Sequence, residues 1–165
     1  MTDNHTHQAD KEVEDQSRLP AAELARLRAE YAPAVVDHWL NPRNLGRLEP
    51  AAGHSGGPGP CGDSMWIWLR VAEKDSREII TRATFLSDIC IGAVSCGSML
   101  TALITGMEVR QAMQLTADDL REALGGLPER EYHCADLAIR TLRQTILDYH
   151  QRKAAGWKNL YRRPS

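Results

Sequence analysis

The sequence predicts one domain in which a small antiparallel sheet is combined with helices. Residues 64–71 and 78–86 alternate apolar and polar side chains, as half-buried strands do, and a polar turn over 73–77 separates them. Beyond Cys90 the apolar period changes from two residues to 3.6, which is typical of a helix. A short strand over 45–48 would complete the sheet.

Length and composition limit the chain to one ordinary core. Its 165 residues are 42% hydrophobic and 25% charged, so a second independent domain would be cramped. We expect a disordered polar tail over 1–20, a folded domain over 21–153 and a C-terminal tail over 154–165. The first of these segments is too polar for a signal peptide, and no later run approaches the roughly 20 apolar residues of a membrane span. We therefore expect a cytoplasmic protein without membrane contacts.

The charge balance and the cysteine content restrict the classes of function that are open to the chain. The 20 Lys and Arg residues against 22 Asp and Glu leave a net charge of -2, so no general basic field exists for nucleic acid. Cytosolic thiols are kept reduced, which favours metal or sulfur chemistry over disulfides for the four cysteines. For any single cysteine, a buried and inert side chain is the alternative.

The N-terminal part of the chain predicts helices followed by a loop. Apolar residues at helical spacing follow Pro20, and Pro33 marks a kink or a fresh helix start. The helix should end near Asn41, because a residue before proline avoids helical geometry. Residues 54–60 are rich in glycine and proline, so we expect a loop that leads Cys61 to the first strand.

The C-terminal half predicts three further helices. The helix after Cys90 carries an apolar stripe, and Thr116 with Asp119 resembles a capping box that starts a short helix, which Gly125 should stop. A last long helix carries apolar residues on one face as far as Tyr149. The members of the stripe after Cys90 are Ala93, Cys96, Leu100, Leu103 and Met107.

Three cysteines lie at element junctions, where they can converge at one rim of a small domain. Cys61 precedes a strand, Cys90 joins a strand to a helix, and Cys134 lies near a helix start. Helix N-terminal positions favour thiolate, so a lowered pKa is expected at Cys90 and Cys134. Asp63, two residues beyond Cys61, shares its face, and His133 could bind metal or donate a hydrogen bond. These residues predict a metal site.

Cys96 is expected to have a different role. It lies six positions after Cys90, and about 100° of rotation per residue turns it onto the apolar stripe of the helix. The sequence therefore predicts that Cys96 is a core residue.

Four motifs in order resemble the NifU/IscU-type iron-sulfur cluster assembly scaffolds, over roughly residues 32–149. The motifs are VVDHWLNPRNLG at 35–46, Cys61-Gly62-Asp63, the segment 85–90 that ends in Cys90, and Leu127-Pro128 leading to His133-Cys134. The resemblance implies an α+β fold, a small three-stranded antiparallel sheet with helices packed on it.

The resemblance also implies the chemistry. Cys61, Asp63, Cys90 and Cys134 would hold a transient [2Fe-2S] cluster, or a zinc ion in the purified protein, with His133 as a nearby alternative ligand. A cysteine desulfurase would deliver sulfur as a persulfide to Cys134, iron would enter at the same residues, and the cluster would pass to acceptor apoproteins. Such a scaffold is not itself an enzyme.

Two residues depart from the family pattern. Ile89 occupies the usual glycine position before the second cysteine, so the loop should be stiffer. Glu131 replaces the lysine of the Leu-Pro-Pro-Val-Lys motif, and this charge reversal speaks against a dedicated Hsp70-type chaperone as a partner. The insertion found in zinc-dependent sulfur-acceptor relatives is absent between Cys90 and Cys134, which favours the scaffold over a sulfurtransferase.

Three other interpretations use the same residues. The first is a zinc-bound sulfur acceptor that activates a desulfurase without building a cluster. The second is a thiol hydrolase with Cys134 as nucleophile, His133 as base and Asp63 as the group that orients the base. The third is a metal-free interaction module. Intact ligand positions argue against the third.

Overall fold

The computed structural model describes residues 19–60 and 62–160, with side chains as far as Trp157. The predicted disorder over 1–18, the position of Cys61 and the last five residues of the predicted C-terminal tail lie outside these residues. In chain order the elements are α1 (Ala21–Glu30), α2 (Pro33–Leu40), β1 (Gly53–Pro58), β2 (Ser64–Lys74), β3 (Arg77–Ser87), α3 (Ile91–Ile104), α4 (Val109–Gln114), α5 (Ala117–Ala123), a 3₁₀ turn (Glu129–Glu131) and α6 (Tyr132–Leu160).

The sheet has three antiparallel strands in the order β1-β2-β3, and helices pack on it, so the predicted fold class is confirmed. At the tip of the β2–β3 hairpin Asp75 and Ser76 have φ values of 51° and 62°, a backbone geometry that matches the twist of tight hairpins. The alternation predicted for β2 is observed at its start, where Met65 and Ile67 are fully buried while Trp66 is 38% exposed, but Trp68, predicted on the same face as Trp66, is buried. One face of the hairpin therefore forms the floor of the core.

The third strand does not lie where the sequence predicted it. Residues 45–48 form no strand; Leu45 makes a single parallel bridge to Phe85 of β3. The third strand is instead β1, which overlaps the segment 54–60 that was expected to be a loop, and this expectation was wrong over residues 54–58. Glycine and proline weaken a strand but are tolerated at a sheet edge, which explains why the pattern gave no strand signal.

Gly53 of β1 allows α6 to approach the sheet closely. A Cβ on Gly53 would lie 2.8 Å from the Thr145 carbonyl oxygen and 2.8 Å from the Tyr149 Cβ of α6. The His54 amide donates to Asp148 Oδ2 of the same helix at 2.9 Å. Gly56 faces β2 instead, where an added Cβ would lie 2.5 Å from Trp66 Cα. Close packing therefore accounts for these two glycines.

Helix α3 runs through the middle of the domain, in contact with the sheet, α2, α5 and α6. It is buried on most of its circumference, including Cys96, whose predicted place in the core is confirmed. At Gly97 an added Cβ would lie 2.2 Å from the Phe85 ring, so this glycine allows α3 to lie directly on β3. The largest fully buried side chains around α3 are Phe85, Met65, Ile67, Leu69, Ile80, Leu100, Ile104, Leu120, Leu124, Leu142, Ile146 and Val35.

Hydrogen bonds attach the motif at 35–46 to α3. His38 Nδ1 lies 2.7 Å from Ser98 Oγ, and the Arg43 amide donates to the same oxygen at 2.8 Å. The Ser95 hydroxyl donates to the Val35 carbonyl oxygen at 2.9 Å. Burial lowers the pKa of His38, and the nearby Arg43 lowers it further. The motif therefore fixes α2 against the helix that begins at Cys90.

The C-terminal half contains the three predicted helices, α3, α5 and α6, together with the short helix α4, which the sequence pattern did not predict. Thr116 and Asp119 form the expected capping box at the start of α5. Helix α6 continues beyond Tyr149 to Leu160, so 154–160 is helical, although the sequence pattern predicted a tail there. Glu78 of β3 accepts hydrogen bonds from Tyr149 Oη at 2.8 Å and Lys153 Nζ at 2.6 Å, which anchors this extension. Within the described residues, no helix is both long and apolar enough to cross a bilayer.

Candidate metal and sulfur site

Three of the predicted site residues converge where the start of β2 meets the start of α6. His133 Nε2 lies 2.8 Å from Asp63 Oδ2 and 3.5 Å from Cys134 Sγ, and Cys134 Sγ lies 3.9 Å from Asp63 Oδ2. One ligand atom from each of the three residues lies within 4.8 Å of the others. The cluster therefore offers oxygen, nitrogen and sulfur donors to a single ion.

Backbone contacts hold the loop that carries Asp63. The Gly59 amide donates to the Asp63 carbonyl oxygen at 2.6 Å, and Gly62, with φ of 90°, takes a conformation suited to glycine. The Ser64 amide donates to Asp88 Oδ2 at 2.5 Å, while the Asp88 amide donates to the Ser64 carbonyl oxygen at 3.2 Å. Asp88 thus ties the Asp63 loop to the loop of Cys90. This role of Asp88 was not predicted from the sequence, in which its position two residues before Cys90 was the available signal.

Cys90 is the exposed thiol of the site. It is the N-cap of α3, and its sulfur accepts a hydrogen bond from the Ala93 amide at 3.3 Å. A hydrogen bond from Cys134 and the one from Ala93 lower the pKa of Cys90 to about 7. The expectation of an activated thiol at the start of this helix is met.

Cys134 is buried and behaves in the opposite way. It lies in the first turn of α6, but donation to Cys90 and burial raise the pKa of its thiol well above the ordinary range. The expectation that a helix start would lower this pKa was wrong, because the thiol faces inward and serves as a donor. Of these two cysteines, Cys134 is therefore the buried one and Cys90 the exposed one.

Gly92 makes room for the Cys134 sulfur. A Cβ on Gly92 would lie 2.8 Å from Cys134 Sγ and 2.7 Å from Glu131 Oε2, so the sulfur and the carboxylate oxygen both face the space left by this glycine. Sequence reasoning did not single out Gly92. A glycine in the first turn of a helix, two residues after a candidate ligand, was the available signal.

The geometry of His133 does not suit a hydrolase. In a nucleophile–base–acid triad the two ring nitrogens serve different partners, one facing the nucleophile and the other the carboxylate. Here the same nitrogen, Nε2, is the one near both Cys134 Sγ and Asp63 Oδ2. Asp63 therefore competes for the nitrogen that a base would need, and the arrangement is that of clustered ligands.

The donor set fits a thiophilic metal. Thiolate, imidazole and carboxylate are the ligands of zinc and iron sites in proteins. Cys90 is hydrogen-bonded to Cys134 at the edge of the cluster, and Cys61, two residues before Asp63, is outside the described residues. Cys96 is fully buried in the core, where burial raises the pKa of its thiol, and it contributes nothing to the site.

The chain belongs to the NifU-like N-terminal domain family, whose model matches residues 30–156. This range contains every candidate ligand.

Two scaffold proteins named IscU share 40% identity with the chain. The iron-sulfur cluster assembly scaffold protein IscU 1 of Archaeoglobus fulgidus aligns over 123 residues, 74% of this chain and 78% of its own length. IscU of Aquifex aeolicus aligns over 122 residues, 73% of this chain and 76% of its own. The mitochondrial iron sulfur cluster assembly protein 2 of Saccharomyces cerevisiae is 30% identical over 127 residues, 74% of this chain and 80% of its own.

Solved structures share the fold. The N-terminal NifU-like protein of Brucella abortus superposes with a TM-score of 0.54 at 12% identity, covering 72% of this chain and 93% of that one. A protein described for the SUF system of Fervidobacterium islandicum AW-1 gives 0.52 at 15% identity, covering 77% and 99%. At such identities these two structures support the fold alone.

Proposed function

We propose that this protein is a scaffold on which a [2Fe-2S] cluster is assembled and from which it is transferred to acceptor apoproteins. The observation that carries the proposal is the convergence of Asp63, His133 and Cys134 in a chain that is 40% identical to iron-sulfur cluster assembly scaffold proteins. Cys90 lies beside this group, hydrogen-bonded to Cys134. The similarity to scaffolds favours this function over the zinc-bound sulfur acceptor.

The ligands proposed for the cluster are Cys61, Asp63, Cys90 and Cys134, with His133 as an alternative. Three thiolates and one carboxylate hold iron less firmly than four thiolates would, because oxygen is a weaker and more easily displaced ligand for a soft site. His133, at 2.8 Å from Asp63, can draw that carboxylate away from the metal. Weak retention suits a protein that must release its cluster.

Sulfur is proposed to arrive from a cysteine desulfurase as a persulfide on Cys134. Cys134 would give up its proton and attack the outer sulfur of the desulfurase persulfide; a new S–S bond forms, the old one breaks, and the desulfurase sulfur leaves and takes up that proton. Because Cys134 is buried, a local movement must first expose its sulfur. Desulfurase docking is the proposed trigger for that movement.

The experiment is assembly followed by transfer. The protein is incubated anaerobically with ferrous iron, cysteine and a desulfurase, and then mixed with an apo-ferredoxin while visible absorption is followed. Cluster bands that appear on the scaffold and then on the ferredoxin support the proposal. Persulfide mapped by mass spectrometry to Cys134 supports the sulfur step, and a persulfide confined to Cys90 contradicts it. Bound zinc with sulfur uptake but no cluster would establish the sulfur-acceptor alternative.

A further inference from the structure

The carboxylate of Glu131 lies at the site with one oxygen satisfied and the other unpaired. Oε1 accepts a short hydrogen bond from the Tyr31 hydroxyl. Oε2 is inaccessible to solvent and, among the residues that the structure describes, has no hydrogen-bond donor. A buried carboxylate oxygen without a partner costs free energy, so a structure retains such a group where something else compensates it.

The unpaired oxygen and the thiol sulfur of Cys134 face the same space beside Gly92. Both Glu131 Oε2 and Cys134 Sγ lie within van der Waals overlap of the Cβ position on Gly92, at 2.7 and 2.8 Å. Glu131 is outside the compact group of Asp63, His133 and Cys134. Glu131 therefore lies on the Gly92 side of Cys134, and not on the Asp63 side.

The surroundings keep this carboxylate in place. Tyr31 is buried, and burial together with its bond to Glu131 raises the pKa of the phenol to about 12, so it stays a donor. Gly92 is in the first turn of α3, where the helix dipole favours negative charge. Arg130 is exposed; it pairs with Glu30, and its Nε lies 3.9 Å from Glu131 Oε1, the oxygen that also accepts from Tyr31. No further side-chain cation among the described residues is bonded to Oε2.

We propose that Glu131 is a second oxygen ligand of this site, one that accepts ferrous iron next to Cys134 during assembly. The inference rests on the proposed scaffold function and adds a residue to it. Carboxylate oxygen is a hard donor that suits Fe²⁺, and an iron ion is a partner that would compensate the unpaired Oε2. The replacement of the family's lysine by Glu131 then changes the iron affinity of the site, in addition to the charge of the surface that a chaperone would contact.

The test compares a hard and a soft metal on the apoprotein. Fe²⁺ and Cd²⁺ affinities are measured anaerobically, without sulfide, for wild type, Glu131→Gln and Glu129→Gln. Glu129 is the matched control, because it lies in the same 3₁₀ turn and carries the same charge but is exposed. Thermal unfolding of each protein checks that the substitutions leave the fold intact.

Loss of a hard ligand should weaken the binding of Fe²⁺ more than the binding of Cd²⁺. Glu131→Gln should weaken Fe²⁺ binding by at least about tenfold and Cd²⁺ binding, which depends on thiolates, by less than about threefold. Glu129→Gln should change neither. Unchanged Fe²⁺ binding in Glu131→Gln, or an equal loss for both metals, would overturn the inference while leaving the scaffold proposal intact. If wild type itself bound no Fe²⁺, the proposed function would fail as well.

Discussion

Gly92→Ala is a sharp perturbation of the site, because the added methyl group enters the space between two functional atoms. The new Cβ would lie 2.8 Å from Cys134 Sγ, 2.7 Å from Glu131 Oε2 and 3.2 Å from Glu131 Cβ. Carbon and sulfur or oxygen in non-bonded contact need more room than this, so the Cys134 and Glu131 side chains must both move.

Two opposing effects set the change in stability. Overpacking a well-packed site costs about 1–3 kcal/mol. Alanine is a better helix former than glycine, so the substitution also stabilises the protein by at most about 1 kcal/mol at an end position of α3. We therefore expect the free energy of unfolding to fall by about 0–3 kcal/mol, while Zn²⁺ affinity falls at least about tenfold because Cys134 is displaced.

The assay is Zn²⁺ competition titration together with urea unfolding of the apoprotein. Gly156→Ala is the matched control, since this glycine is also helical and has nothing within 4 Å of its Cβ position. It should leave Zn²⁺ affinity unchanged and stability equal or slightly raised. Wild-type Zn²⁺ affinity in Gly92→Ala would refute the packing argument.

Three further predictions concern single residues. Cys96→Ala should leave metal content unchanged and cost about 1 kcal/mol of stability, and thiol titration of the folded protein should find Cys96 unreactive; rapid labelling there would contradict its burial. Asp63→Ala should give a longer-lived cluster that is donated slowly, as followed by transfer to an apo-ferredoxin; faster spontaneous loss would mean that Asp63 stabilises the cluster. Burial lowers the pKa of His38 below its ordinary 6.5, so the stability that its neutral form contributes is complete above that pH and is lost as the pH falls. Between about pH 7.5 and 5, urea unfolding should therefore show a smaller loss of stability for His38→Gln than for wild type. Parallel pH dependences of the two proteins would exclude this role.

The elements with a strong apolar period could be predicted from the sequence. The β2–β3 hairpin, α3 and the capping box at Thr116 follow directly from local pattern and turn chemistry. Strand β1 could not, because Gly53 serves the approach of α6, a contact far away in sequence, and Gly56 the approach of Trp66 on β2. The continuation of α6 beyond Tyr149 was missed for a related reason, since Glu78 of a distant strand anchors it.

The residues of the candidate site likewise divide into those that could be predicted from the sequence and those that could not. Asp63, His133 and Cys134 were expected together, and the structure brings them together. The opposite pKa shifts of Cys90 and Cys134 depend on which thiol faces solvent, and that is decided by tertiary packing. Asp88, Gly92 and the unpaired oxygen of Glu131 act through contacts between segments, which no local pattern contains.

The most direct test of the scaffold function is Mössbauer spectroscopy after anaerobic reconstitution with ⁵⁷Fe, cysteine and a desulfurase, applied to wild type and to single cysteine variants. Wild type and Cys96→Ala should show the signature of a [2Fe-2S] cluster. Cys61→Ser, Cys90→Ser and Cys134→Ser should each lose it. A wild-type protein without a cluster, or a normal cluster in any of these three serine variants, would contradict the account.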